Sequence, residues 1–465
     1  MLQKTMNLFF LIFLFSCAHQ SSQWIDPKES ESGEVNYDIN IPVKSLTLDN
    51  GLRVLLVANK DLPIFSYYTF YDVGGRYEQK GTTGATHFLE HLMFKGAKKY
   101  GPGKFDTIIE GNGGSTNAYT TFDSTVYYEN LPIESLETII DLEADRMSSL
   151  IIDPKTFESE RQVVLEERKL RYENRPGGKL YLNTMKAMFK GTPYGGSVIG
   201  DYEDVANLKI EEVRSFFKKF YAPNNAVLVI VGDLDVSRTM DLVKKYYGPL
   251  ERSKNLEDFK KPFDSEKNFS FRGEVKKSLK IHSTSPSPMF MMAFRAHKLG
   301  DENSYVLDLL AAILGNGQSS YLNQKYVTGK KPLLSYIRSS NYTLKHNGIF
   351  YIMGQLLKKT NLTTFKRNLG KRLVGYCDKA ITERSVQKAK NQFLISYYRE
   401  LDTNSGVAHF VGERENFFND FNHYKKELSI YKNITADQIK QSCKKLFIGN
   451  KSLFASVWEK HPRKK

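Results

Sequence analysis

Three cysteines in 465 residues, Cys17, Cys377 and Cys443, are too few for a disulfide scaffold. No apolar run reaches the roughly 20 residues that a membrane-spanning helix needs. There is no Gly-rich phosphate loop and no Lys/Arg run interleaved with aromatics or glycine, so the net charge of +15 carries no nucleic-acid motif with it. By itself that charge would suit nucleic acid, an anionic membrane surface or an acidic substrate equally well. The basic tail His461-Pro462-Arg463-Lys464-Lys465 reads as a solvated terminus. Long biased tracts are also absent, and 40% apolar with 26% charged residues excludes collagen-like, coiled-coil and wholly disordered classes. At this length two or three domains are expected.

The first distinctive feature is N-terminal. Lys4 precedes an unbroken apolar run, Leu8 to Phe15, which ends in Ser16-Cys17. A cationic start, a short apolar stretch and a small residue before the break make a secretory signal over 1–17. Leu14-Phe15-Ser16-Cys17 resembles a bacterial lipobox, which would make an acylated Cys17 the new N-terminus; plain cleavage near Ala18 is the alternative. Residues 18–40 are polar and Ser/Glu-rich, as a tether would be. The expected location is the bacterial cell envelope, lipid-anchored and facing the periplasm or exterior.

Asp49-Asn50-Gly51 between Leu46-Thr47-Leu48 and Leu52 to Val57 is a hairpin signal. A strand over Ile64 to Val73 leads through Gly74-Gly75 to a helix-period segment, Gly84 to Phe94, and strands then alternate with helices to Asp233. Residues 251–268 are charged, contain Pro262, lack apolar periodicity and read as a linker. Leu208 to Val213 followed by Ala222 to Val231 repeats at an offset of 226 as Ile434 to Ile439 followed by Ile448 to Val457. Either the chain carries two copies of one domain or helix-then-strand patterning has converged. The expected fold is α+β: two related domains, 41–250 and 269–460, each a mixed or antiparallel sheet covered by helices, joined by the charged linker.

The chemistry sits in His87-Phe88-Leu89-Glu90-His91. At about 100° per residue, His91 lies some 40° to one side of His87 and Glu90 some 60° to the other, so all three share a helix face. Two imidazoles one turn apart can reach one Zn²⁺, and the carboxylate between them can reach a water held there. With 9 His and 52 acidic residues, chance yields about 0.02 such matches in a chain of this length. The plain alternative is a helix with two unrelated core histidines. A catalytic zinc needs a third protein ligand. Downstream, Glu160 and Glu167 are seven apart and fall about 20° from each other on one helix face, whereas Glu158 and Glu166 suit a solvated face balanced by Arg161, Arg168 and Lys169.

These residues resemble the pitrilysin, insulinase and mitochondrial processing peptidase family of zinc metallopeptidases, whose inverted His-x-x-Glu-His motif names them inverzincins. Similar too are Gly74-Gly75-Arg76-Tyr77-Glu78, Phe94-Lys95-Gly96, Asn117-Ala118-Tyr119-Thr120, Pro193-Tyr194-Gly195 and Tyr221-Ala222-Pro223-Asn224-Asn225. The resemblance implies Glu167 as third ligand, Glu160 as an auxiliary glutamate, Glu90 as general base and one Zn²⁺ per chain. It also implies that Asn117 and Ala118 lie on an edge strand to which substrate peptide adds; read alone, Asn117 is a turn or strand-end residue.

The second half resembles the family more faintly, through Met289 to Arg295 and Leu307 to Ser320. Leu309, Ala312 and Ile313 stand near the places of His87, Glu90 and His91, so no second zinc site is expected. The family often carries Arg and Tyr seven apart after that Ser-Ser to grip substrate. Here Gly329 precedes Tyr336 by seven, leaving Tyr336 as a peptide contact and the arginine's role vacant or passed to Lys330 or Lys331. The implied activity is zinc-dependent hydrolysis of peptides or unfolded polypeptides, within a homodimer or a heterodimer with a related chain. The alternative is a non-catalytic subunit of such an assembly. Whether Cys377 and Cys443 pair is left open by spacing alone.

Overall fold

Gly51 takes φ +91° at the Asn-Gly turn, and β1 (Lys44–Thr47) folds back antiparallel on β2 (Arg53–Ala58). With β3 (Ile64–Tyr71), β4 (Ser115–Thr120), β5 (Thr125–Pro132) and β6 (Ala226–Gly232) they form a six-stranded sheet in the order β1-β2-β6-β3-β5-β4. Only β2 and β6 run parallel, and β4 is an edge. A second sheet holds β7 (Ser278–His282), β8 (Met289–Ala296), β9 (Leu334–Thr343), β10 (Gly348–Leu356) and β11 (Leu453–Trp458), ordered β7-β11-β8-β10-β9. The computed structural model describes residues 38–271, 275–283, 285–449 and 451–458. The signal segment with Cys17, and the tether up to residue 37, lie outside the described residues.

The second sheet repeats the order β2-β6-β3-β5-β4 of the first, with β11 parallel to β7 as β6 is to β2. The two segments matched at an offset of 226 end in β6 and β11, which hold the same place in their sheets. The α+β expectation of two helix-covered sheets is met.

Each half lends the other a helix. Pro176–Met188, from the first half, lies across β8 and β11, and Asn404–Phe418, from the second, lies across β3 and β6. Strands β3 and β6 are therefore buried on both faces, which explains their nearly continuous apolar and aromatic sequence. Leu180, Met185 and Met188 pack with Met291, Ala293 and Val457 in one core. Gly412 is required where the second exchange is closest, because a Cβ there would lie 2.2 Å from the Phe70 ring. At about 1.5–3 kcal/mol for each large apolar side chain buried, the exchange binds the halves firmly.

Residues 251–268, read as a charged linker, contain the helix Leu256–Asp264 and run into a short one, Glu266–Phe269. Leu256, Phe259 and Phe263 face the first core, but the same inner face also carries Lys260 and Asp264, which masks the apolar period. Those charges are paired. Lys260 Nζ lies 2.7 Å from Asp72, and Asp264 lies 3.2 Å from Arg76. Arg76, fully buried, also meets Asp72 at 3.1 Å and Asp123 at 2.9 Å. From the turn between β9 and β10, the Lys345 amide donates to Asp123 (3.0 Å) and its ammonium lies 3.4 Å from Asp72. Three cations and three carboxylates thus tie both halves and the connecting helix together. Cys377 and Cys443 are bonded, joining the helices Leu362–Ala380 and Ala436–Lys444. Among the described residues no helix is long and apolar enough to cross a membrane.

Candidate metal centre

The histidine helix, Ala85–Leu92, begins at Gly84, whose φ of +89° and contact with the Ile199 carbonyl, 2.6 Å from where a Cβ would stand, exclude a side chain. The carboxyl of Glu78 accepts the amides of Gly84 (2.7 Å) and Thr86 (2.8 Å), satisfying two open donors of the helix N-terminus, while burial pushes its pKa up to about 7. Phe88, Leu89 and Leu92 are buried in the core, which turns the remaining face, with His87, Glu90 and His91, towards the second functional helix.

That glutamate helix is Pro154–Arg168. Asp153 caps it by accepting the amides of Lys155 and Thr156, and Pro154 occupies its first turn. Arg161 and Arg168 are buried and donate to the carbonyls of Val205, Leu208 and Gly200. Glu158 and Glu166 are exposed and pair with Arg161 and Lys169, as the sequence suggested, whereas Arg168 turns inward and pairs with Glu173 instead. Glu160 and Glu167 point the other way. After Arg168 the helix widens into a π turn, Lys169–Glu173.

The two helices bring three ligand atoms together. Oε2 of Glu167 lies 3.6 Å from His87 Nε2 and 3.3 Å from His91 Nε2. Ligand atoms of His87, His91 and Glu167 all fall within 4.8 Å of one another, and no other such cluster occurs among the described residues. A tetrahedral Zn²⁺ with arms of about 2.0–2.1 Å separates its ligands by about 3.3 Å. Glu167 Oε2 is buried with the two imidazole nitrogens as its near neighbours and no well-formed hydrogen bond, so a cation held among the three would satisfy it. The donor set fits zinc.

A further layer orients these groups. Glu160 Oε2 lies 3.4 Å from His91 Nδ1, and its Oε1 lies 2.8 Å from Lys95 Nζ. Arg171, from the π turn, holds Glu167 Oε1 at 2.6 Å. Thr120 Oγ1 donates to Glu90 Oε2. Burial pulls His87 down to about 3, with His91 adding to the effect. At His91 burial also opposes charging, but Glu167, Glu90 and Glu160 outweigh it and the ring titrates high. Burial raises Glu90 against the pull of Thr120, while Glu167, despite burial, is lowered by the two histidines and Arg171.

Asn117 and Ala118 lie within β4, not at a turn; Asn117 is exposed on this edge, and its Oδ1 accepts the Ala118 amide at 2.8 Å. Tyr336 lies on β9, the edge of the second sheet, opposite Gln355. Burial raises its hydroxyl and Arg338, two residues along the same strand face, opposes that. Among the described residues, no hydrogen bond or ion pair joins Tyr336, Lys330 or Lys331 to the histidine cluster. Leu309, Ala312 and Ile313 are buried in the second core and offer no ligand.

The family model described as insulinase, peptidase family M16, matches residues 53–202, and the one described as the M16 inactive domain matches 207–393. The zinc protease PqqE of Helicobacter pylori is 31% identical over 372 residues, covering 78% of this chain and 81% of that protein. The chain belongs to peptidase family M16. Other relatives of this M16 chain include an uncharacterised zinc protease, YmxG, of Bacillus subtilis (26% identical, 80% of this chain and 88% of that protein). Another is the mitochondrial-processing peptidase subunit beta of Blastocladiella emersonii (25%, 81% and 80%). The crystal structure of a protease from Helicobacter pylori superposes with a TM-score of 0.80 at 26% identity, covering 90% of this chain and all of that one. The half matched by the inactive-domain model is the one whose helix carries Leu309, Ala312 and Ile313.

Sequence reasoning missed the partners of the site. Thr120 and Lys95 belong to the motifs quoted above, but spacing cannot pair Thr120 with a carboxylate 30 residues earlier. Arg171 was within reach of the i,i+4 rule from Glu167.

Proposed function

We propose that this M16 chain is a zinc-dependent endopeptidase or oligopeptidase that holds one Zn²⁺ on His87, His91 and Glu167. The observation that carries the reading is the convergence of those three side chains beside Glu90, with Glu167 Oε2 facing both imidazole Nε2 atoms. Zinc bound there supplies a Lewis acid that brings the pKa of water towards about 7 and polarises a peptide carbonyl. Glu90, on the same helix face, takes a proton from the attacking water and returns it to the departing amine nitrogen. Glu160, anchored by Lys95, keeps the His91 ring oriented, and Arg171 leaves one oxygen of Glu167 facing the histidines. The free edge of β4 presents Asn117 and Ala118 to an extended peptide, which can add as the next strand. The substrate class is therefore peptides and unfolded polypeptides.

A second chain, identical or related, closes over the site to exclude water and folded proteins; several relatives bearing the name of a peptidase subunit support this. The chain is held at the bacterial cell envelope by a lipid on Cys17, and the Cys377–Cys443 bond suits an oxidising compartment.

The deciding experiment is zinc analysis with a peptide-library digest. Glu90→Gln should keep zinc and lose cleavage, and normal turnover by that variant would sink the mechanism. The mass of the active species tests closure, which full activity from a strictly monomeric species on a folded protein overturns. Cys17→Ser should release the protein from detergent, and an unmodified N-terminus beyond residue 17 ends the lipid claim.

A further inference from the structure

We propose that Thr120 is a positioning residue: by donating its hydroxyl to Oε2 of Glu90 it fixes the plane of that carboxylate and leaves Oε1 to carry the proton. The proposal rests on the peptidase reading above and adds to it the group that aims the base.

Left alone, Glu90 would be poorly aimed. The terminal torsion of a glutamate is broad and roughly two-fold, so an unheld carboxylate samples many orientations, whereas transfer chemistry needs groups within about 0.5 Å and 10–20° of the productive geometry. A hydrogen bond to one oxygen narrows that freedom. A threonine hydroxyl has a single proton to give, and an ionised carboxylate only accepts, so the bond has one direction.

The donor is itself rigid. Thr120 is the last residue of β4, paired with Thr125 across the hairpin. The turn between them is closed by Thr121 Oγ1, which accepts the amides of Asp123 (3.1 Å) and Ser124 (2.9 Å). Asp123 is in turn held by Arg76 and by the Tyr194 hydroxyl at 2.7 Å. A buried ion network thus fixes the turn, the turn fixes Thr120, and Thr120 fixes Glu90. Because β4 is also the free edge, the same strand that would seat a peptide aims the base at it. Position of substrate and orientation of catalyst are set by one element.

The test compares Thr120→Val, which keeps shape and β-branching but removes the hydroxyl, with Thr120→Ser, which keeps the hydroxyl. The Val variant should lose about 10–100-fold in kcat, the range for partners that orient a functional group, with KM, zinc per chain, Tm and affinity for an uncleavable peptide analogue unchanged. The Ser variant, which keeps the donor, should lose less than the lower end of that range. Adding Thr120→Val to Glu90→Gln should change nothing further. If the Val variant does not fold, Thr120→Ala is read in the same way. A Val variant with parental kcat, a loss that appears in KM or zinc content, or a Ser variant as poor as Val each overturns the proposal. The two readings fail differently: if the parent and Glu90→Gln cleave alike, the peptidase reading falls and takes this one with it. If Glu90→Gln is dead and Thr120→Val is parental, only the role of Thr120 falls.

Discussion

His91 is gripped on both edges of its ring: Nδ1 lies 3.4 Å from Glu160 and Nε2 lies 3.3 Å from Glu167. Both glutamates come from one helix, seven residues apart, and only Glu167 also approaches His87. The inner carboxylate belongs to the candidate ligand set, and the outer one, held by Lys95, sets the ring's orientation.

That division predicts different outcomes for two similar variants. Glu160→Gln should lower turnover by about 10–100-fold with one zinc per chain retained at saturation. Glu167→Gln should release zinc at chelator concentrations the parent withstands. Chelator titration with metal analysis measures both, and complete zinc loss from Glu160→Gln would mean that the roles are exchanged.

Arg76 should be among the most sensitive positions for stability. It is fully buried against Asp72, Asp123 and Asp264, so Arg76→Met takes a buried cation from three carboxylates, at a cost of about 3–5 kcal/mol. Urea denaturation measures it; a midpoint equal to the parent's would show that the network contributes nothing net.

The same network predicts acid lability. Burial alone would raise Asp72, but Arg76, Lys260 and Lys345 outweigh it and hold the carboxyl far below the ordinary aspartate range. Asp264 is likewise lowered, by His346 and Arg76 against burial. Both folded-state values are depressed, so their contribution is complete above the unfolded value of about 3.9 and is lost as pH falls through and below it. Tm should start to fall as the pH drops to about 4 and should go on falling as the pH is lowered further towards the depressed folded-state values, and Asp72→Asn should flatten that limb while lowering the plateau.

Replacing Cys377 and Cys443 together by alanine should cost about 2–4 kcal/mol, since the bond closes a loop across a separation of 66 residues. Zinc content should not change, because the bond lies in the half without ligands. A Tm equal to that of the parent would mean that packing alone holds these two helices together.

Local periodicity made much of this legible. His87, Glu90 and His91 share a face because of the helical repeat alone, and Glu160 and Glu167 because seven residues nearly complete two turns. The Asn50-Gly51 hairpin and the repeated helix-then-strand segments are equally local. The connecting helix was hidden because its inner face is completed by Lys260 and Asp264, charges that a search for apolar period discards.

What the sequence by itself determined is therefore which residues sit together along one helix or one strand, since 3.6- and 2-residue periods are properties of neighbouring backbone. Only the tertiary structure decided which elements face each other: that Thr120 reaches Glu90, that Lys95 anchors Glu160, that two helices are exchanged between the halves, and that Arg76 draws in Asp72, Asp123 and Asp264. Those contacts depend on sheet order and helix packing, and side chains tens to hundreds of residues apart meet only when a whole layer of the fold has closed around them.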